Sequence, residues 1–209
     1  MSRCVIVSAG PFQDPFLLAG LLQPEDYVIA ADGGWQLATL LGVRPAVLVG
    51  DFDSMPVPAI GDDVKLITLP VQKDVTDTAK ALEIGYEAGY RDFLLLGCTG
   101  GRLDHFQATL IEAVAYVKRG CSVVIADEKN EIYPLKPGQY LFQAQTGEKV
   151  SFFAFGEQVT GLFATDLAYD VSDMTLSPFS ALCVSNEPLE EAFCVSFRTG
   201  TLLTYFSKD

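Results

Sequence analysis

Along residues 1–127, short aliphatic and β-branched runs alternate with longer amphipathic stretches. The apolar runs fall at 3–9, 27–31, 46–50, 65–68, 92–96 and 122–126, each with the length and composition of a buried strand. Between them, 34–41, 76–88 and 104–119 carry helical spacing. Leu82, Tyr86 and nearby alanines share one helical face; Phe106, Leu110, Ala113 and Val117 share another. Gly89 and Gly120 stand just past two of these helices, where a left-handed cap is commonly required. The alternation predicts an α/β N-terminal domain with a mostly parallel, doubly wound sheet.

The pattern changes near Asp127. A polar run, Asp127-Glu128-Lys129-Asn130-Glu131, is followed by Pro134, Pro137 and Gly138. Beyond it lie short alternating segments at 140–144, 149–155, 174–176, 181–185, 192–197 and 202–206, separated by turns such as Thr146-Gly147 and Arg198-Thr199-Gly200. This predicts a small antiparallel β-sandwich domain. The expected organisation is an α/β domain over 1–127, a linker over 128–138 and the sandwich over 139–209.

Composition narrows the chemistry. Hydrophobic residues make up 49% and charged residues 20% of the 209, a globular balance. No apolar run approaches the roughly 20 residues of a membrane span, and the first ten residues read as a strand, not a leader. Five scattered cysteines, mostly beside apolar runs, look like buried reduced thiols and suggest a cytoplasmic protein. With one histidine and no Cys-x-x-Cys pair, a structural zinc site is disfavoured. The net charge of −13 argues against a nucleic-acid partner. It is compatible with a nucleotide whose phosphates are neutralised locally by magnesium.

In open parallel sheets, ligands bind beyond the carboxyl ends of the strands, and several polar runs fall there. Gly50-Asp51-Phe52-Asp53-Ser54 follows one strand; Asp51 and Asp53 there form either a simple turn or a site for a hard cation. In Lys73-Asp74-Val75-Thr76-Asp77, one side chain caps the coming helix, or Lys73 meets phosphate while Asp77 adds a metal ligand. Asp74 and Asp77, three positions apart, can share one side of the first turn. Gly97-Cys98-Thr99-Gly100-Gly101-Arg102 precedes another helix. Glycines let backbone N–H groups approach an anion, and Arg102 offers bidentate hydrogen bonds to phosphate. Asp104 is an N-cap or a ribose or metal partner, and His105 has a structural or a catalytic role. Asp32-Gly33-Gly34 is a strand-to-helix turn, or it places Asp32 at the mouth of the same cleft.

Taken in order, Ala31-Asp32-Gly33-Gly34, Gly50 to Ser54, Lys73 to Asp77, Gly100-Gly101-Arg102-Leu103-Asp104-His105 and Ser185-Asn186-Glu187 resemble the motifs of the thiamine pyrophosphokinase family. The resemblance implies an enzyme that moves pyrophosphate from ATP to the hydroxyl of thiamine, giving thiamine diphosphate and AMP. It implies a homodimer with a C-terminal thiamine-binding sandwich. By motif match, Asp51, Asp53 and Asp77 hold magnesium and phosphate, and Asp74 supports them. Arg102, Gly100 and Gly101 contact ATP, and Asp104 helps place the nucleotide. Ser185 and Asn186 approach the thiamine pyrimidine. Asp166-Leu167-Ala168-Tyr169-Asp170-Val171 stands where the family commonly has Gly-Leu-Lys-Tyr-Pro-Leu. Two other classes stay in view: a phosphatase of the haloacid-dehalogenase type with Asp51 as nucleophile and Asp53 as acid/base, and a non-enzymatic sensor of thiamine or nucleotide.

Overall fold

The computed structural model describes residues 2–12, 14–53, 56–70, 75–145 and 147–208. The chain divides into two compact units, 1–128 and 129–209. Unit 1 contains β1 (Cys4–Val7), β2 (Tyr27–Ala31), β3 (Val47–Gly50), β4 (Lys65–Thr68), β5 (Asp92–Leu96) and β6 (Ser122–Ala126). They lie in the order β4-β3-β2-β1-β5-β6 with every neighbouring pair parallel. The chain steps outward from β1 to β4, then returns to the other side of β1 with β5. The direction of winding therefore reverses between β1 and β5, and a crevice opens there beyond the strand ends.

Helices cover both faces of this sheet. Helices α1 (Pro15–Ala19) and α2 (Gly34–Leu40) supply Leu18, Leu37 and Ala38 to a buried cluster with Val5, Val7, Leu94 and Leu96. On the opposite face lie α3 (Asp77–Glu87) and α4 (Leu103–Lys118). A Cβ at Gly85 of α3 would sit 2.8 Å from the Cys4 sulfur, and the Tyr116 ring of α4 packs 6.1 Å from that of Phe93. The sequence reading of α2, α3 and α4 agrees with these helices to within a residue or two. Gly89 and Gly120 do adopt positive φ, +98° and +90°. Helix α1 was not expected. Its signal is the Asp-Pro pair: the Asp14 side chain accepts from Phe16 N–H, and Pro15 fits a first helical position.

Unit 2 is built from two four-stranded antiparallel sheets. One is β12-β9-β14-β7 and the other is β11-β10-β13-β8. The strands are β7 (Asn130–Leu135), β8 (Gly138–Gln143), β9 (Lys149–Ala154), β10 (Val159–Ala164), β11 (Val171–Leu176), β12 (Cys183–Asn186), β13 (Ala192–Phe197) and β14 (Leu202–Ser207). Val150, Phe152, Leu162, Phe193, Val195 and Phe206 pack in their shared core. Two strands differ from the sequence expectation. The stretch read as a linker holds β7, whose charges and Pro134 hide its pairing with β14. Strand β10 carries Gly161 and shifts register against β11, which breaks the period of two. No helix among the described residues is long and apolar enough to cross a membrane.

Gly34 and Gly89 separate two reasons for glycine. A Cβ on Gly34 would collide with the Val7 carbonyl, whereas one on Gly89 meets nothing within 4 Å and only its positive φ resists a side chain. Gly34→Ala is expected to lose about 2–3 kcal/mol in urea unfolding, and Gly89→Ala about 1 kcal/mol. Equal losses would contradict the packing of α2 against the end of β1.

Candidate active site

The end of β1 approaches the end of β5 at backbone distance. Ser8 N–H donates to the Leu96 carbonyl at 2.8 Å, and Gly10 N–H donates to the Gly97 carbonyl at 2.7 Å. A Cβ on Gly10 would lie 2.7 Å from the Thr99 carbonyl oxygen. Gly97 has φ +67° and is likewise closed to a side chain by Ser8. Between these loops and the first turns of α3 and α4 is a cavity of about 260 Å³. Its wall includes Asp32, Asp77, Gly101, Arg102 and His105.

Each of these residues arrives for a local reason. Thr76 caps α3, its hydroxyl accepting from Ala79 N–H at 3.1 Å. With the cap supplied by a hydroxyl, Asp77 in the first turn faces the cavity, where the helix N-terminus favours negative charge and anion ligands alike. Beside it, the Thr78 and Ser8 hydroxyls are hydrogen-bonded at 2.8 Å. Asp32 follows β2 with φ +46°, and its N–H donates to Val49 at 2.7 Å. A Cβ on Gly50 would stand 3.1 Å from the Asp32 Cα, so glycine lets the ends of β2 and β3 close up.

Asp51 and Asp53 follow directly and are not in the cavity wall. Phe52 between them has φ +53°, a left-handed conformation rare for a bulky side chain. Such a conformation costs about 1–3 kcal/mol. The Phe52 ring packs against a cluster of Ala30, Leu48 and Val64, with Trp35 and Ile60. Full burial of an aromatic ring contributes about 1.5–3 kcal/mol, and the partly buried Phe52 ring sets a share of that against the strain. Asp53 N–H turns back to an Asp51 carboxylate oxygen at 3.3 Å.

Arg102 is the N-cap of α4, and Asp104, read as a possible N-cap, instead lies in the first turn and binds Arg102. Two guanidinium hydrogen bonds reach its carboxylate, at 3.1 and 2.6 Å. The pair is mostly exposed, so it adds little to stability and serves chiefly to orient the guanidinium. His105 N–H also donates to Asp104, at 3.0 Å. The Thr99 hydroxyl donates to Asp127 at 2.7 Å, tying the glycine loop to the end of β6. Gly100 has φ +74° and is not in the cavity wall. Lys73 and Asp74 lie outside the described residues.

No group of three or more Asp, Glu, His or Cys able to hold a metal occurs among the described residues. Asp51, Asp53 and Asp77 thus do not form a closed three-carboxylate cage. Two stand on the turn after β3, and the third belongs to α3. Their chemistry still fits magnesium, which takes hard oxygen ligands and usually combines one or two carboxylates with water and substrate phosphates. Several wall residues escaped the sequence reading, among them Ser8, Gly10 and Thr78. The strand-end rule applied to Ser8-Ala9-Gly10 finds the first two. In the same wall, burial pushes the Cys98 thiol up to about 11, against the opposing pull of Ser8 and Thr109, which disfavours the thiolate.

In unit 2, Ser185 has φ +57°, and its N–H donates to the Ser151 hydroxyl at 2.9 Å. It shares a groove of about 490 Å³ with Lys149, Ser151, Phe153 and Tyr205. Asn186 is 3% exposed. Its carboxamide accepts from Tyr169 N–H and donates to the Tyr169 carbonyl, both at 2.9 Å. That side chain is engaged within the fold and holds the segment before β11. In the same segment Asp166 has φ +56°, where the family pattern commonly carries glycine; aspartate is among the residues that tolerate it.

Residues 18–125 match the thiamin pyrophosphokinase catalytic domain, and residues 136–202 match the thiamin pyrophosphokinase vitamin B1 binding domain. The chain belongs to the thiamin pyrophosphokinase family. It is 29% identical over 214 residues to the thiamine pyrophosphokinase of Bacillus subtilis (strain 168), covering 100% of both chains. The crystal structure of a Bacillus subtilis thiamine pyrophosphokinase superposes with a TM-score of 0.87 at 26% identity, covering 100% of both chains. That of the Geobacillus thermodenitrificans thiamin pyrophosphokinase gives 0.87 at 28% identity, over 99% of this chain and 98% of the other. The α/β unit followed by an antiparallel β unit is thus the family's architecture.

The Arg102–Asp104 pair makes a pH-dependent prediction. Hydrogen bonds from Arg102 hold the Asp104 carboxyl at about 2, below the ordinary value of roughly 3.9. A depressed folded-state value means the pair's contribution is present above about pH 4 and fades as pH falls toward 2. Arg102→Met is expected to return the Asp104 midpoint to the ordinary carboxylate range in an NMR titration. A midpoint still near 2 would assign the depression to the helix terminus instead.

Proposed function

We propose that the chain transfers the pyrophosphoryl group of ATP to the hydroxyl of thiamine, giving thiamine diphosphate and AMP. The observation that carries this reading is the match of both the catalytic and the vitamin B1 binding domains, in order, along one chain. The thiamine oxygen attacks the β-phosphorus in line. An O–Pβ bond forms, the bond from Pβ to the bridging oxygen breaks, and that oxygen leaves on AMP.

Asp51, Asp53 and Asp77 would hold magnesium, with Asp74 in support, and the ion would neutralise polyphosphate charge. The backbone of Gly100 and Gly101 lets phosphate oxygens come close to N–H groups. Arg102, oriented by Asp104, keeps its remaining N–H groups for the same oxygens. These fixed donors suit a reaction in which positioning and electrostatics do most of the catalytic work. Lys73 adds positive charge beside the phosphates. Asp32 and His105 shape the wall near the nucleotide. The proton of the thiamine hydroxyl leaves late, because a cation-bound carboxylate is a weak base.

Thiamine is held by unit 2, where Ser185 and the Phe153–Tyr205 pair offer a hydroxyl and aromatic faces to a cationic ring. Asn186 acts by fixing the Tyr169 segment. A homodimer in the cytoplasm completes the reading. The exposed Phe179, Leu182 and Leu189 supply apolar surface for a second copy, and sedimentation as a monomer would remove that part.

Incubation with ATP, magnesium and thiamine is expected to yield AMP and thiamine diphosphate in equal amounts by chromatography. ADP with thiamine monophosphate would overturn pyrophosphoryl transfer, and an aspartyl-phosphate would favour the phosphatase chemistry. Asp53→Asn is expected to lower kcat about 100-fold or more with an unchanged circular dichroism spectrum. Near-normal turnover would remove Asp53 from the metal set.

A further inference from the structure

We infer that Phe52 is the positioning residue of the acidic turn. Its ring, packed on the Ala30, Leu48 and Val64 cluster that Trp35 and Ile60 also cover, holds the left-handed backbone that presents Asp51 and Asp53 to a divalent cation. The inference rests on the proposed magnesium role of those two carboxylates and adds a residue that touches neither metal nor substrate.

Backbone freedom alone would be met by glycine or asparagine at this position. A phenylalanine is among the least suited residues for φ +53°, yet it occupies the centre of the motif. The surroundings explain how it persists. Ala30 of β2 and Leu48 of β3 form the buried floor of the cluster, Val64 borders it, and Trp35 of α2 and Ile60 pack alongside. The chain entering the turn is held as well: the Gly50 carbonyl accepts from Leu69 N–H at 2.8 Å. With residue 50 fixed by the sheet and the ring of residue 52 fixed by the cluster, the direction of residue 53 has little freedom.

The consequence falls on the carboxylates. In an extended chain, residues 51 and 53 would stand roughly 6.5–7 Å apart with no mutual hydrogen bond. The left-handed residue between them bends the chain so that Asp53 N–H reaches an Asp51 carboxylate oxygen at 3.3 Å. That contact aims the Asp51 carboxylate and fixes the backbone from which the exposed Asp53 side chain projects. Losing the ring frees the backbone to relax out of the left-handed region and lets both carboxylates scatter. Residues that orient metal ligands in this way typically account for about 10–100-fold in metal affinity.

The test measures uptake of Mn2+ alone, by loss of the free-ion electron paramagnetic resonance signal, in the full chain without nucleotide. Phe52→Ala is expected to weaken binding about tenfold or more. Phe52→Leu, which keeps apolar bulk in the cluster, is expected to restore most of the affinity. Emission of Trp35, the single tryptophan of the chain, reports in the same samples whether the cluster has been disturbed. Wild-type affinity in a folded Phe52→Ala protein overturns the inference, and so does equal weakening in Phe52→Leu. Asp53→Asn separates the two levels of the argument. If it binds Mn2+ like the wild type, the magnesium reading itself fails. If it loses binding while Phe52→Ala does not, only the role of Phe52 falls. Should Phe52→Ala not fold, Ile60→Ala thins the same cluster from outside the turn. It must shift Mn2+ affinity in the same direction, and unchanged affinity rejects the proposal.

Discussion

Where β1 and β5 end side by side, their loops come closer than side chains allow. The Ser8 to Leu96 and Gly10 to Gly97 hydrogen bonds set the distance, and Gly10 and Gly97 leave no space for a Cβ. This approach lies at the point where the winding of the sheet reverses. The neighbouring helices therefore diverge, and the crevice stays open. Asp77 enters it because Thr76 has already capped α3. Arg102 enters it because the glycine loop, tied to Asp127 through Thr99, delivers it at the start of α4. Without the close contact of two strand ends, these groups would belong to separate surface loops.

A second constraint is conformational. Among the described residues, five non-glycine residues have positive φ: Asp32, Phe52, Asp166, Asp173 and Ser185. Three of them sit within the motifs that carry the proposed chemistry. Strained backbone persists only where its surroundings over-determine it, and the restraints differ from case to case. Asp32 is held by its hydrogen bond to β3, Ser185 by the Ser151 hydroxyl, and Phe52 by an apolar cluster. The motifs are recognisable because those local demands leave few residue choices.

Much of the α/β unit was legible in the chain. Buried parallel strands are continuously apolar, and helices between them keep a 3.6-residue period, so both patterns survive in one dimension. The second unit was harder. Strand β7 reads as a polar, proline-bearing connector until β14 pairs with it, and β10 loses its alternation at Gly161. In the site, the glycine and aspartate runs announced themselves because they follow apolar strands. Thr78 did not, since a single hydroxyl carries no pattern until its 2.8 Å contact with Ser8 is seen.

Residue order alone determined the class of each unit, the strand-end loops, the acidic turn and the family likeness, all of which depend on composition and spacing along one chain. Tertiary structure decided which of those residues meet. It placed Asp77 in the cavity wall and left Asp51 and Asp53 on a neighbouring turn. It engaged Asp104 with Arg102 and committed Asn186 to the Tyr169 backbone. Propensity and periodicity act over a few residues, whereas these assignments come from hydrogen bonds and packing between segments far apart in the chain.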